Sequence, residues 1–341
     1  MVEMTRTVDD VNNGHSTSVL NSSKKESFRV GNPFYQILEI ISFLILWNLQ
    51  ILYYTGEWIY RLFYKSEPKS VKNDVVLITG TGHGIGKQLA LYYAKAGATV
   101  VGWDINKENN DQTIQEINQM DIKKAYGYVV DVSDADNVVN TAELVQQQVG
   151  EVTILIANAG IMPCHLLMEH SREEIRRIMN INVFQLFWLM EAFLPTMMKN
   201  NKGHIVAMSS VAGLGGFPNL VPYCATKYAV RGFMESLNEE LRMNRNNQIK
   251  LTTIYPYMVD TGLCKNPSIK FDALMQTLKP DHVARKIMMA QRRDVAELSL
   301  PNYLLPLQNI LRIVPRKAFL KFVDFLDSRI ESDLVMRNTS E

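Results

Sequence analysis

A charge of one sign is missing from this chain. Its 36 Lys and Arg stand against 35 Asp and Glu, a net +1 over 341 residues, so no field gathers a polyanion and nucleic acid is not expected as a partner. Cysteine is scarce as well. The three, Cys164, Cys224 and Cys264, lie far apart with neither metal-type spacing nor an even set to bridge, and fit reduced packing thiols on a cytosol-facing domain. Residues 1–33 lack any apolar period; polar and rich in Ser, Asn and charge, they read as a disordered arm. What remains is apolar enough, at 47%, to bury a sizeable core.

The first long apolar run is Ile37–Tyr54, whose single charge is Glu39. As a helix it reaches about 27 Å, near the thickness of a bilayer core. Trp58, Tyr60, Phe63 and Tyr64 follow as interface aromatics, and Lys65, Lys69 and Lys72 return the chain to water. Residues 34–64 therefore read as a membrane anchor and 65–73 as a basic linker, with a buried soluble helix as the alternative. The run starts too far from Met1, and lacks a small-residue cleavage site, for a cleaved signal peptide. Lys24, Lys25 and Arg29 nearly balance Arg61 and the three Lys, so charge does not set the orientation. Asn48 and Gln50 leave a shallow or hairpin insertion open.

From Asp74 apolar strand runs alternate with helical stretches: Val75–Thr79, Thr99–Trp103, Ala125–Val130, Thr153–Ala157, His204–Met208, Lys250–Tyr255 and Val295–Leu300. This pattern predicts an α/β fold over 74–300, a Rossmann-type doubly wound parallel sheet of six to seven strands with its ligand crevice at the strands' carboxyl ends. The first strand enters Thr79-Gly80-Thr81-Gly82-His83-Gly84-Ile85-Gly86. Glycines let a backbone approach a pyrophosphate, and a following helix N-terminus supplies N–H groups to it. Ile85 stands where G-x-G-x-x-G needs its last Gly, so the spacing is G-x-x-x-G-x-G. Asp104, ending the second strand, suits both ribose hydroxyls of an adenosine and repels a 2′-phosphate, which favours NAD and leaves NADP as the second choice. It could equally cap the next helix. His83 would soften that repulsion if protonated. Asp131 could reach the adenine or simply make a turn.

Tyr223 and Lys227 lie four apart and share a helix face. A neighbouring ammonium lowers a phenol pKa and makes it usable as an acid/base. Alone the pair is weak, since chance supplies roughly one in such a chain.

Thr79-Gly80-x-x-x-Gly84-Ile85-Gly86, Asn158-Ala159-Gly160, Ser210, and Tyr223-x-x-x-Lys227, in this order and spacing, together resemble the short-chain dehydrogenase/reductase family over roughly 72–300. The resemblance implies Tyr223 as acid/base, Ser210 bonding the substrate oxygen, Lys227 tuning Tyr223 and holding the nicotinamide ribose, and Asn182 as fourth catalytic member, with Asn180 a rival. It places Gly80, Gly84, Ile85, Gly86, Asp104, Asp131, Asn158, Tyr223, Lys227 and Thr261 at the cofactor. Two departures stand out: Ala157 replaces an Asn, and Pro256-Tyr257 replaces Pro-Gly.

Leu214, Phe217, Leu220 and Leu263 are expected in an apolar cleft without a fixed charge, or in the core. Residues 303–326, within an extension over 301–341, mix apolar side chains with Arg312, Arg316, Lys317 and Lys321, as an amphipathic segment that lies on a membrane, covers the cleft or caps the domain. The layout is similar to the membrane and lipid-droplet subgroup that holds retinol and 17-beta-hydroxysteroid dehydrogenases. It implies an endoplasmic reticulum or lipid-droplet setting, a cytosol-facing catalytic domain, and a homodimer joined through the helices of 171–200 and Tyr223. The expected reaction is NAD-dependent oxidation of a lipophilic alcohol, retinol first and hydroxysteroid second. The alternatives are an NADPH-dependent reductase of a lipid carbonyl and a non-enzymatic lipid-droplet protein with a relic fold. Asn21 and Asn338 head glycosylation-type triplets.

Overall fold

The computed structural model describes residues 32–64, 66–122, 124–264, 267, 268, 270, 276–326, 329, 330, 332 and 333. The chain divides into two compact units, residues 1–66 and 67–341. Most of the expected polar arm, with Asn21 and Asn338, lies outside the described residues.

Described within the first unit is one helix, α1 (Pro33–Phe63), 31 residues long. Asn32 caps it, its side chain accepting from the Phe34 N–H at 3.0 Å, and Pro33 takes the first position, where a missing N–H costs nothing. The helix thus begins one residue earlier than expected and runs well beyond Tyr54. It passes unbroken through Asn48, whose amide donates back to Leu44 O at 2.8 Å. A hairpin is therefore not formed. Pro33–Glu57 has a mean hydropathy of 1.6 and nothing buried inside the fold.

The second unit opens with β1 (Val75–Thr79), α2 (Gly84–Lys95), β2 (Thr99–Asp104), α3 (Lys107–Asn118), β3 (Tyr126–Val129), α4 (Ala135–Gln148) and β4 (Ile154–Ala157). It continues through α5 (Arg172–Met179), α6 (Gln185–Lys199), β5 (His204–Met208), α7 (Val221–Arg242), β6 (Lys250–Pro256), β7 (Pro267–Ser268), α8 (Pro280–Arg292) and β8 (Glu297–Leu300). It ends in α9 (Leu304–Leu311), α10 (Arg316–Leu326) and β9 (Arg329–Ile330).

Seven strands form one sheet in the order β3-β2-β1-β4-β5-β6-β8, every pair parallel. Period-two alternation divides each strand between two cores. Val76, Ile78, Ile154, Ile156 and Val206 face one, while Leu77, Leu155, Ile205 and Ala207 face the other. Both faces are covered by helices, which is why β4 and β5 are apolar throughout. The order reverses between β1 and β4, and that switch point opens a crevice at the strands' carboxyl ends.

The helix expected over 171–200 is present and continuous from Arg172 to Lys199, with a π turn, Asn180–Phe184, joining α5 to α6. One expectation needs correction. The C-terminal extension is not one amphipathic stretch but two short helices and a strand, β9, that pairs antiparallel with β7.

Candidate active site

The turn after β1 is shaped by crowding. Gly84 sits at φ +59°, and a Cβ there would lie 3.0 Å from Thr261 Cγ2. At Gly86 a Cβ would stand 1.9 Å from Gly80 O, so no other residue fits. Ile85 takes the space of the absent third glycine by packing, half-buried, onto the core under α2. Asp104 closes the turn from β2: one carboxylate oxygen accepts Gly82 N–H and the other Asn106 N–H, both at 2.8 Å. It does not cap α3, since Asn106 does so by accepting Asn109 N–H at 2.9 Å. Each carboxylate oxygen retains a lone pair for a further donor. Asp131 folds its own turn, accepting from Ser133 N–H at 2.9 Å and its hydroxyl at 2.6 Å, while also lining the cavity.

Across the switch point Asn158 donates to Thr79 O at 2.9 Å and Gly80 O at 3.3 Å. Thr79 Oγ1 in return accepts the N–H groups of Asn158 and Ala159, each at 3.0 Å. Gln185, 2% exposed, supports the same turn by donating to Ala159 O at 2.7 Å. The sequence reading missed Gln185. An amide at the first position of an apolar helix gives no periodic signal, and only the fold brings it beneath Ala159.

Asn182 lies in the π turn, 2% exposed. Its Oδ1 accepts Ile161 N–H at 2.9 Å; its Nδ2 donates to Ile161 O at 2.9 Å and Thr226 Oγ1 at 3.1 Å. Thr226 donates onward to Tyr223 O at 2.7 Å, so Asn182 is tied to the helix that carries Tyr223. Asn180 is exposed. A Cβ on Gly160 would come 3.2 Å from Asn182 Oδ1 and 3.7 Å from Lys227 Nζ, which places those two groups beside each other.

Ser210, Tyr223 and Lys227 line one cavity of about 340 Å³ together with Gly80, Gly84, Asp104, Asp131, Asn158 and Thr261. The Tyr223 phenol departs from expectation. Burial pushes its pKa up to about 12, and the Ser210 hydroxyl pulls only partly the other way. Lys227 Nζ donates to Met208 O at 2.8 Å and lies 5.5 Å from the Tyr223 ring centroid. Burial also lowers the ammonium pKa to about 8. Helical spacing revealed the neighbouring charge but not the desolvation, and desolvation dominates.

Phe217, Leu220 and Leu263 line the same cavity, but Leu214, 1% exposed, belongs to the core. Ile330 from β9 joins that wall. Its carbonyl accepts from Asn219 at 2.8 Å, and Gln308 of α9 donates to Leu214 O at 2.7 Å. The C-terminal segment thus covers part of the cleft. Arg177, exposed on α5, also lines the cavity.

A glycine turn running into a helix beneath the switch point of a doubly wound sheet defines a Rossmann-type dinucleotide fold. Residues 74–270 match the profile of the family described as short chain dehydrogenase. Human 17-beta-hydroxysteroid dehydrogenase 13 is 36% identical over 282 residues, 83% of this chain and 91% of that protein. Mouse epidermal retinol dehydrogenase 2 is 36% identical over 258 residues, 76% of this chain and 84% of that one. The fold matches a short-chain dehydrogenase/reductase from Burkholderia phymatum, solved in complex with NAD, with TM-score 0.64 and 24% identity across 71% of this chain and 94% of that chain. The chain belongs to the short-chain dehydrogenase family and is an NAD(P)-dependent oxidoreductase acting on the CH–OH group.

Proposed function

We propose that the protein oxidises a lipophilic alcohol with NAD, retinol to retinal first and a hydroxysteroid to its ketone second, in the manner of the relatives named above. One observation carries this reading. Ser210, Tyr223 and Lys227 meet the glycine turn and Asp104 in a single cavity whose remaining wall includes Phe217, Leu220, Leu263 and Ile330, so groups suited to a dinucleotide and to a greasy carbinol face the same space.

The cradle fits the cofactor. Gly84 and Gly86 leave no side chain over the turn, the N-terminus of α2 offers N–H groups to phosphates, and the free lone pairs of Asp104 suit ribose hydroxyls. When bound, NAD supplies the hydride acceptor. Ser210 donates to the substrate oxygen and stabilises charge developing there. Tyr223 takes the hydroxyl proton as the carbonyl forms. Lys227, with its pKa near 8, relays that proton toward solvent and holds the nicotinamide ribose. Asn182 fixes the Ile161 turn and the start of α7 around them. Asp131 and Thr261 line the remaining cofactor surface.

A second reading, reduction of a lipid carbonyl with NADPH, draws on His83, exposed at the turn and lining the cavity beside Asp104. It requires a cation to offset the Asp104 carboxylate.

We further propose that α1 inserts in an endoplasmic reticulum or lipid-droplet surface, with 74–300 on the cytosolic side, 65–73 as linker and 301–341 serving the cleft. The exposed Phe184 and Phe187 on the α6 side support a homodimer seam. Microsomes holding the protein, incubated with NAD and a panel of retinols, hydroxysteroids and long-chain alcohols, test the reading. NADH formed in step with retinal or ketone is expected; strong preference for NADPH overturns the cofactor assignment.

A further inference from the structure

The loop between β4 and α5 brings two imidazoles and a carboxylate together, a combination absent from the spacing rules applied to the sequence. His170 Nδ1 lies 2.5 Å from Glu174 Oε2, four residues on, and His165 Nε2 lies 3.5 Å from Glu174 Oε1. One ligating atom from each residue falls within 4.8 Å of the others. The two rings stand 4.9 Å apart between centroids. None of the three lines the catalytic cavity.

We propose that His165, His170 and Glu174 bind one divalent transition-metal ion of the zinc class. The donor set suits it: two imidazoles and one carboxylate favour zinc, cobalt, nickel or copper, whereas magnesium and calcium prefer oxygen alone. Zinc bonds of about 2.0–2.2 Å separate tetrahedral ligands by roughly 3.4 Å, close to the 3.5 Å between His165 and Glu174. The tighter His170–Glu174 contact has to open by about 1 Å on that geometry. Glu174 has the freedom to do so. It sits in the first turn of α5 with its side chain 28% exposed, which also gives the ion a way in and water a fourth position.

The His170 side chain is wholly buried, and His170 Nδ1 and His165 Nε2 are the ring nitrogens that face Glu174. The opposite nitrogens, His170 Nε2 and His165 Nδ1, have no hydrogen-bond partner among the described residues and would carry the N–H of the ligating tautomers. Each neutral imidazole carries one lone pair and one N–H, so ligation needs no change of oxidation state: metal–nitrogen and metal–oxygen bonds form as the ion sheds water.

The consequence is structural. Cys164 N–H donates to Asp333 at 3.2 Å and His165 N–H to Asn219 O at 3.0 Å, and Met162 of the same loop lines the cleft. An ion at the head of α5 clamps the loop that carries this wall, without reaching the reacting carbon.

The test uses the full-length protein in detergent, stripped with a chelator and titrated with Zn²⁺ calorimetrically and with Co²⁺ by its visible d–d absorption. Expected is one ion per chain, tetrahedral Co²⁺ bands and a raised melting temperature. Glu174→Gln and His165→Asn, both at partly exposed positions, should each weaken affinity by at least about 10-fold, while Glu173→Gln on the exposed face next door leaves it unchanged. Because buried His170 can unfold when replaced, it is not the deciding variant. Absence of saturable binding, or binding that survives both Glu174→Gln and His165→Asn, overturns the proposal.

Discussion

The Lys227 ammonium and the Tyr223 phenol, one helical turn apart on α7, are not hydrogen-bonded to each other: Lys227 donates to Met208 O at 2.8 Å and stands 5.5 Å from the Tyr223 ring centroid. Burial raises the phenol to about 12 and lowers the ammonium to about 8, so Lys227 is the one of the two that gives up a proton near neutral pH. Oxidation sends a proton through Lys227 toward solvent, which requires its neutral form. The rate, kcat/KM, should therefore climb about tenfold per pH unit below about 8 and level above it, with carbonyl reduction showing the opposite slope. Rate profiles in both directions between pH 6 and 10 check this; a flat oxidation limb contradicts it.

Asp104 holds Gly82 and Asn106 through its two carboxylate oxygens, so replacing it disturbs both charge and turn. Asp104→Asn keeps one acceptor and removes the charge. KM for NAD is expected to rise about 10-fold, on the scale of one charged hydrogen bond, while discrimination against NADP falls. Steady-state kinetics with each cofactor measure both.

Gln185 supports the turn of Asn158 and Gly160 from below through Ala159 O. Gln185→Leu strips a buried carbonyl of its partner, at a cost of about 1–3 kcal/mol. As a positioning residue it should raise KM for NAD more than it lowers kcat. Thermal unfolding paired with cofactor titration separates this from simple destabilisation, which would leave KM for NAD unchanged.

His204, far from the site on β5, bonds Thr252 at 2.8 Å and Gln291 at 3.2 Å, and burial drops its pKa to about 4. The unfolded imidazole, near 6.5, protonates first as pH falls. Stability is thus intact above about 6.5 and lost progressively toward 4, on the order of 3 kcal/mol in all. Denaturant titrations across that window should show the loss, and His204→Gln should remove most of it.

The parts of this molecule legible in the sequence are those whose signal is local. Near-continuous apolar runs such as Ile154–Ala157 could only be buried strands, and the glycines of 80–86 need their turn because Gly86 abuts Gly80 O. Leu214 was left open between cleft and core because an apolar residue in a loop can face either; the fold sent it inward and brought Ile330 to the cleft from more than 100 residues away. The π turn at Asn180–Phe184 leaves no compositional trace, though it presents Asn182 to Ile161 and Thr226. Tyr223 was located by spacing, but its basicity depends on water excluded by the whole domain.

Turnover by the Tyr223→Phe variant tests the central claim most directly. With NAD and the best alcohol of the panel, removal of the phenol oxygen should cut kcat by at least about 100-fold, the low end for a lost general acid/base, with NAD affinity and melting temperature near those of the parent. A Tyr223→Phe variant as active as the parent would contradict it.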